Sequence, residues 1–154
     1  MKYERIERAT FLERPNRFIA YARIAGKQET IHVKNTGRCA ELLVPEAEIF
    51  VQESDNPERK TKWDLIGVRK GNRLINMDSQ IPNKVVEEWL RAGNLFLEPV
   101  TVRPETTYGN SRFDFYVESG EKKAFIEVKG VTLEEDGVVR FPDVMEMRDT
   151  PMYV

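Results

Sequence analysis

Two carboxylates and a lysine in the second half of the chain have the types and spacing expected for metal-assisted chemistry on phosphate. Glu127 and Lys129 lie two residues apart, and Asp114 interrupts an apolar run that precedes them. Magnesium prefers oxygen ligands and is usually held by one or two carboxylates, with water and substrate phosphate completing its shell. The ion activates a water and stabilises the leaving oxygen, while a lysine can polarise that water. The pattern predicts phosphodiester chemistry, with Asp114 and Glu127 as metal ligands.

These residues lie in a stretch that has the pattern of a β-hairpin. Two runs rich in aromatic and β-branched residues, 113–117 and 124–128, flank a polar segment centred on Gly120. Successive strand residues point to opposite faces, so Glu127 and Lys129 share one face, and antiparallel pairing could bring Asp114 beside Glu127. The spacing alone also fits an ordinary solvated Glu-x-Lys pair on a half-exposed hairpin.

An amphipathic helix is predicted before the hairpin. Apolar residues recur at helical spacing between Lys84 and Ala92, and Gly93 provides a stop. Glu87 and Glu88 flank the apolar face, so either could add a carboxylate to the metal site, or both could be solvated. Residues 95–102 are then predicted to form the first strand of the sheet.

Basic residues near the start of the hairpin could contact a phosphate beside the metal site. Arg103 and Arg112 occupy this part of the chain. Either arginine could instead pair with Glu105 on the surface.

The first half of the chain is predicted to consist of short strands. From Arg17 onward the strand candidates are FIAYARIA, ETIHV, EIFVQ and DLIGV, separated by turn residues. A short helix is predicted over Arg38–Leu43, between the second and third of them. This arrangement is compatible with a small five-stranded barrel of OB type.

A polar loop between these strands is the predicted contact with nucleic acid. Lysine and arginine neutralise phosphates, asparagine and threonine donate hydrogen bonds to phosphate oxygens, and Gly37 lets the main chain approach closely. Arg17 beside Phe18 could add charge and a stacking surface. The alternative is that the loop is merely a turn and Phe18 belongs to the core. The predicted nucleic-acid contacts are Arg17, Lys34, Asn35, Thr36, Arg38 and Arg112.

Charge is distributed unevenly along the 154 residues. The formal net charge is −2, but residues 1–76 carry 15 Lys+Arg against 11 Asp+Glu, and residues 77–154 carry 9 against 15. The basic excess in residues 1–76 is expected if this half binds nucleic-acid phosphates. The acidic excess in residues 77–154 is expected if carboxylates in this half bind a metal. Ordinary fluctuation of surface charge is the alternative.

Composition excludes several other classes of protein. The chain is 40% hydrophobic and 32% charged, which is typical of a soluble globular protein, and it has no apolar run long enough to span a membrane. The charged start of the chain argues for the cytoplasm. One cysteine, Cys39, and one histidine, His32, exclude an internal disulfide and an ordinary Cys/His zinc site. They could act as nucleophile and base only if folding brought them together.

Two stretches resemble the sugar fermentation stimulation protein (SfsA) family. The run SRFDFYVESGEKKAFIEVKGVTL, with FPD after it, resembles the family's second-domain signature, and HVKNTGRCAELLVP resembles its first-domain signature. The resemblance implies an OB-like barrel over residues 1–77 and an α/β domain over 78–154 similar to PD-(D/E)xK restriction-type nucleases. It implies DNA as the partner and Asp114, Glu127 and Lys129 as the three catalytic motif positions, with magnesium as the cofactor.

The chain departs from this family pattern near its end. After Phe-Pro-Asp at 141–143 the family continues with Ala-Pro-Thr-x-Arg-Gly and further elements, whereas this chain reads VMEMRDTPMYV. We therefore expect a truncated or frame-altered member with an incomplete, poorly stable second domain and an exposed apolar sheet face. Such a chain would bind DNA, in a regulatory role in sugar metabolism, without efficient catalysis.

Two other functions are also compatible with the sequence. The first is an active magnesium-dependent endonuclease acting on DNA. The second is a non-enzymatic protein-interaction module that keeps the carboxylates only as surface charge. Fold resemblance cannot separate them, because function resides in the site.

Overall fold

The first half of the chain forms a closed, mainly antiparallel barrel. The computed structural model of the protein describes residues 1–96, 100–135 and 137–139. Its first sheet has the order β3-β2-β1-β4-β5-β6, and parallel pairing of β3 with β5 closes the first five strands into a barrel of OB type. The strands are β1 (Ile6–Glu13), β2 (Ile19–Ile24), β3 (Lys27–Val33), β4 (Glu48–Glu53), β5 (Trp63–Lys70) and β6 (Arg73–Asn76).

Alternating burial explains why these segments form the barrel. Ile31 and Val33 on β3 and Ile49 and Val51 on β4 are fully buried, while their neighbours face outward. The predicted five-stranded barrel is confirmed. The sequence pattern missed β1, because its first three residues are exposed and the alternation begins only at Ala9.

The helix predicted over Arg38–Leu43 is wrong. The structure has a single turn there, in which the backbone N–H groups of Leu42 and Leu43 both donate to the Cys39 carbonyl, at 3.1 and 2.9 Å. Cys39 has a φ of 46°, and Pro45 disfavours helical geometry in the residue before it. The run between them is too short for a helix.

The second half of the described chain is a helix packed on a three-stranded antiparallel sheet of order β7-β8-β9. Leu90, Val102, Phe115 and Val117 form its buried core. The hairpin predicted around Gly120 is confirmed, and Gly120 provides the positive φ of its turn. Its second strand, predicted to extend to residue 128, ends at Ile126. The elements are α1 (Ile81–Arg91), β7 (Thr101–Tyr108), β8 (Ser111–Ser119), β9 (Lys122–Ile126), β10 (Glu134–Glu135) and β11 (Val138–Val139).

The boundaries of two predicted elements need correction. The strand predicted over 95–102 begins at Thr101, residues 95–96 are not in a strand, and 97–99 lie outside the described residues. The helix predicted from Lys84 begins at Ile81, because the fixed φ of Pro82 suits a first turn.

The apolar face predicted for α1 is only partly covered by the sheet. Leu90 is buried, whereas Val85 is 50% exposed and Trp89 is 47% exposed. No helix in the described ranges is long and apolar enough to cross a membrane.

The sheet face that Phe125 occupies carries an exposed cluster of aromatic rings. Phe125 contacts Tyr108, Phe113 and Tyr116 with ring centroids 4.9–5.1 Å apart, and Tyr108 is 67% exposed. Among the described residues, this face of the sheet is therefore partly exposed, and whether it is the expected uncovered face stays a prediction. The expectations about residues 140–154 lie outside the described residues.

A buried charge cluster lies where β3 meets β5. Asp64, which is 7% exposed, accepts hydrogen bonds from Arg59 at 2.7 and 3.0 Å and lies 3.0 Å from His32 Nδ1. Lys34 Nζ lies 3.6 Å from Asp64 and 2.8 Å from the buried Asp78. Burial alone would raise the pKa of Asp64, but the hydrogen bonds from Arg59 and His32 and the charge of Lys34 lower it below 3.8.

Asp64→Asn should lower the free energy of unfolding by about 3 kcal/mol at neutral pH, because Lys34 and Arg59 would lose a buried carboxylate partner. Urea denaturation followed by circular dichroism measures this. The control is Asp55→Asn, since Asp55 is 90% exposed and pairs with Arg5 at the surface. The control should change stability by less than about 0.5 kcal/mol.

The pH dependence of this effect has a definite sign. The folded-state pKa of Asp64 is below its ordinary value of 3.8, so its contribution is complete above that value. The contribution is lost as the pH falls through the folded-state pKa, and wild type and Asp64→Asn should converge in acid. A constant difference across the acid range would contradict the assignment.

Candidate functional site

Arg14, immediately after β1, connects the two loops that carry predicted DNA contacts. These are the loop after β1, residues 14–18, and the loop after β3, residues 34–38. Arg14 Nη1 donates to the carbonyl oxygens of Gly37 and Arg38 at 2.6 and 2.9 Å. Its Nη2 donates to those of Arg17 and Asn35 at 2.8 and 2.7 Å. A guanidinium has the fixed fork geometry to satisfy several acceptors at once. Arg14 therefore fixes the positions of both loops.

The two loops border a groove of about 450 Å³. Arg17 and Arg38 line it and are exposed, and within the described part of the chain neither has a carboxylate partner. The Arg17 guanidinium lies 4.8 Å from the centroid of the Phe18 ring. Phe18 is 49% exposed, so the alternative that it belongs to the core is wrong.

The other predicted contacts in this loop have different positions. Lys34 is 16% exposed at its side chain, and its ammonium binds Asp78 and Asp64, so the structure does not bring it to the surface. The Asn35 side-chain oxygen accepts from the Gly37 N–H at 2.9 Å, which stabilises the turn. Thr36 is exposed and available for contact.

Asp114 is fixed between α1 and the segment that follows β9. Its Oδ1 accepts from Asn83 Nδ2 and its Oδ2 from the Val128 N–H, each at 2.7 Å. Glu127 and Lys129 form the predicted neighbouring pair, and both side chains are about half exposed. Asp114 therefore contacts the backbone of the residue between them.

The strict strand alternation assumed from sequence fails near Asp114. Phe113 and Tyr116 both contact Phe125, although alternation would place these two residues on opposite faces. β7 and β8 pair on both sides of Glu105 and Asp114 but not at these two residues, and Glu105 has a φ of 50°. This irregularity lets Asp114 reach α1 instead of following the face of Tyr116.

The donors at this site suit a hard cation. Within the described ranges, no group of three or more His, Cys, Asp or Glu residues could hold a metal. Asp114 and Glu127 nevertheless have carboxylate oxygens, which are the ligands that magnesium and calcium prefer. Magnesium in particular takes much of its coordination shell from water and substrate, so it needs few protein ligands. The residues present therefore fit such an ion.

The two carboxylates predicted on α1 differ in position. Glu87 pairs with Arg91 at 2.6 Å, and Glu88 pairs with the N-terminal amine at 2.6 Å. Glu87 shares a helix face with Asn83, four residues earlier, which binds Asp114. Helical spacing therefore places Glu87 closer to the site than Glu88.

Three further candidates pair with other groups. Arg112 lies 2.7 Å from Glu105, so the surface pair left open by the sequence is present. His32 binds Asp64, and Cys39 Sγ lies 3.8 Å from Thr132 Oγ1, so the structure does not bring this cysteine and histidine together as nucleophile and base.

Sequence reasoning missed Arg14 and Asn83. The i,i+4 spacing of Asn83 and Glu87 on one helix could have indicated Asn83. Nothing in the sequence indicates Arg14, because its main acceptors include loop residues more than twenty positions away.

Fold and site together define a class: an OB-type barrel followed by a helix-covered sheet that carries an Asp and a Glu-x-Lys pair. The chain matches the family model described as SfsA N-terminal OB domain over residues 12–77 and the model described as sugar fermentation stimulation protein RE domain over residues 80–150. The chain belongs to the sugar fermentation stimulation protein family, as its motifs predict.

Relatives and a solved structure agree with this assignment. The chain is 62% identical over 143 residues to the sugar fermentation stimulation protein homolog of Clostridium beijerinckii, covering 93% of this chain and 63% of the relative. It is 48% identical over 157 residues to the homolog of Alkaliphilus oremlandii, covering 97% and 67%. The structure of Pyrococcus furiosus SfsA in complex with Ca²⁺ matches with a TM-score of 0.75 and 27% identity, covering 88% of this chain and 58% of that one. The chain thus spans a little under two thirds of the Clostridium relative.

Arg14→Lys should loosen both loops, because a single ammonium cannot replace the forked contacts. We expect the free energy of unfolding to fall by about 2 kcal/mol and the amides of residues 35–38 to exchange faster. Hydrogen-exchange mass spectrometry measures the local effect. Arg23→Lys is the control, since Arg23 pairs with Glu46 at the surface. Equal exchange in the two variants would contradict the role of Arg14.

Proposed function

We propose that this chain binds DNA through the groove between the loops that Arg14 fixes. The observation that carries the proposal is the pair of exposed arginines, Arg17 and Arg38, which line that groove without carboxylate partners in the described part of the chain. Cations without an internal partner are free to replace counterions along a phosphate backbone. Their loops are fixed in advance, so little ordering is needed on binding.

Further features support contact with a nucleic-acid backbone. Phe18 is half exposed beneath the Arg17 guanidinium and offers a ring on which a base can stack. Thr36 adds an exposed hydroxyl in the same loop. The basic excess of residues 1–76 favours approach of a polyanion to this half. The relatives' name, sugar fermentation stimulation protein homolog, is consistent with a regulatory role in sugar metabolism.

Arg17→Ala and Arg38→Ala should each weaken DNA binding and reduce the slope of log affinity against log salt by about one. Fluorescence anisotropy with labelled DNA over a range of salt concentrations measures both quantities. Lys27→Ala is the matched control, because Lys27 is exposed at the opposite end of the β2–β3 hairpin.

Two outcomes would contradict this interface. If Lys27→Ala reduces the salt slope as much as the arginine variants, binding does not depend on the groove. If wild type shows no salt-dependent binding to any DNA, the protein-interaction module becomes the better interpretation.

A second candidate function is metal-dependent hydrolysis of DNA. The observation that favours it is the position of Asp114, held by Asn83 and the Val128 N–H beside the Glu127–Lys129 pair. Asp114 and Glu127 would hold magnesium, with Glu87 as the candidate from α1. A bound ion supplies an activated water and stabilises the leaving oxygen. Lys129 would orient the attacking water through its ammonium. Pyrococcus furiosus SfsA forms a complex with Ca²⁺, which is consistent with an oxygen-ligand metal site in the family.

Calorimetric titration with calcium and cleavage of plasmid with magnesium test this candidate separately. Glu127→Gln should weaken metal binding at least about tenfold, because it removes a charged oxygen ligand. Lys129→Met should retain metal binding and lose any metal-dependent cleavage. Glu118→Gln is the control, since Glu118 is a half-buried carboxylate on β8 that lies outside the motif. Cleavage that survives both Glu127→Gln and Lys129→Met would exclude this site as its source.

A further inference from the structure

A cavity of about 550 Å³ lies between the end of the barrel, α1 and the segment after β9, and one residue from each candidate site lines it. Asn35 and Ser79 line it on the barrel side, Pro82 and Val85 on the α1 side, and Val128 and Lys129 on the third side. Asn35 belongs to the loop of the proposed DNA interface, and Lys129 to the proposed metal site. A strand that occupies the cavity would therefore contact Asn35 and Lys129.

The lining combines an apolar wall with a few polar groups, as in sites for small organic ligands. Val85 is 50% exposed and stands on the part of α1 that the sheet leaves uncovered. Lys129 brings an ammonium with three donors, of which Glu127 engages only part. Asp78 also lines the cavity, but it is buried and its charge is offset by Lys34 at 2.8 Å.

Size and charge restrict the occupant. A DNA duplex is too wide for a cavity with a volume of about 550 Å³, because the major groove of the duplex alone is about 12 Å wide. One nucleotide is of the size that such cavities hold, and it combines a base for the apolar wall with a phosphate for the ammonium.

We propose that this cavity receives one unpaired nucleotide of a DNA strand, with its base against Val85 and its phosphate toward Lys129. This proposal rests on the DNA binding proposed above. It specifies the form of DNA that is bound, which is single-stranded DNA or the end of a strand. The unpaired nucleotide is thereby placed beside the residues proposed to act on the phosphodiester.

Val85→Glu tests the cavity, because it places a carboxylate where the base would lie. Leu74→Glu is the matched control: Leu74 is a 60% exposed apolar residue on β6, outside the cavity, and the charge change is identical. Both substitutions are at exposed positions, and thermal melting verifies that both variants remain folded. Anisotropy is measured with a labelled single strand and with a duplex of the same sequence.

We expect wild type to bind the single strand more tightly than the duplex. Val85→Glu should weaken single-strand binding about tenfold, as expected for loss of one buried apolar contact, and Leu74→Glu should match wild type. Equal wild-type affinity for both DNA forms, or equal behaviour of the two variants, would overturn the proposal and leave the proposed DNA interface standing. Absence of binding to either form would overturn both.

Tryptophan fluorescence gives a second readout. Trp89 lies one helical turn after Val85 and is 47% exposed, whereas Trp63, the other tryptophan, is buried. Single-strand binding should change the emission of wild type, and Trp89→Phe should remove this change while keeping the affinity. An emission change that survives Trp89→Phe would place the strand elsewhere.

Discussion

The buried Lys34 ammonium lies between two carboxylates and connects the barrel to the segment that leads into α1. Asp64 belongs to β5 and Asp78 to the segment that leads into α1, and Lys34 contacts both. Removing an ion from water costs several kcal/mol, and the cost is offset only when partners are close and well oriented. Ser79 adds a hydrogen bond from its hydroxyl to the Lys34 carbonyl at 2.9 Å. The start of α1 is therefore anchored at the seam where the barrel closes.

The position of α1 in turn determines the geometry around Asp114. Asn83, in the first turn of the helix, donates to Asp114, and Pro82 packs so closely on Gly130 that an added Cβ there would lie 3.0 Å from the proline ring. The segment carrying Glu127 and Lys129 is thus held against the helix. Some of the residues that make these contacts or bind Lys34, namely Asp78, Pro82 and Gly130, also line the cavity at the end of the barrel.

The sequence predicted those features that depend on neighbours along the chain. The hairpin around Gly120 and four strands of the barrel follow from alternation and turn residues, and they are confirmed. Closure of the barrel depends instead on β1, which the pattern missed, and on the pairing of β3 with β5, which are distant in the sequence. The Arg38–Leu43 helix failed because a positive φ at Cys39 is invisible in an apolar pattern. The role of Lys34 was missed for a different reason. A lysine in a polar loop has the pattern of a phosphate contact, and only the fold brings Asp64 and Asp78 to it.

In the proposed metal site, Asp114 would satisfy a structural and a chemical demand with the same two oxygens. The hydrogen bonds from Asn83 and the Val128 N–H use one acceptor position on each oxygen, and a carboxylate oxygen has a second. A metal can therefore bind without breaking the contacts that hold α1 to the sheet. The same contacts fix the carboxylate in advance, so an ion would meet an oriented ligand. In that role, removal of Asp114 would disturb packing and chemistry together, whereas removal of Glu127, which is half exposed and pairs with Lys129, would change the proposed site with little effect on packing.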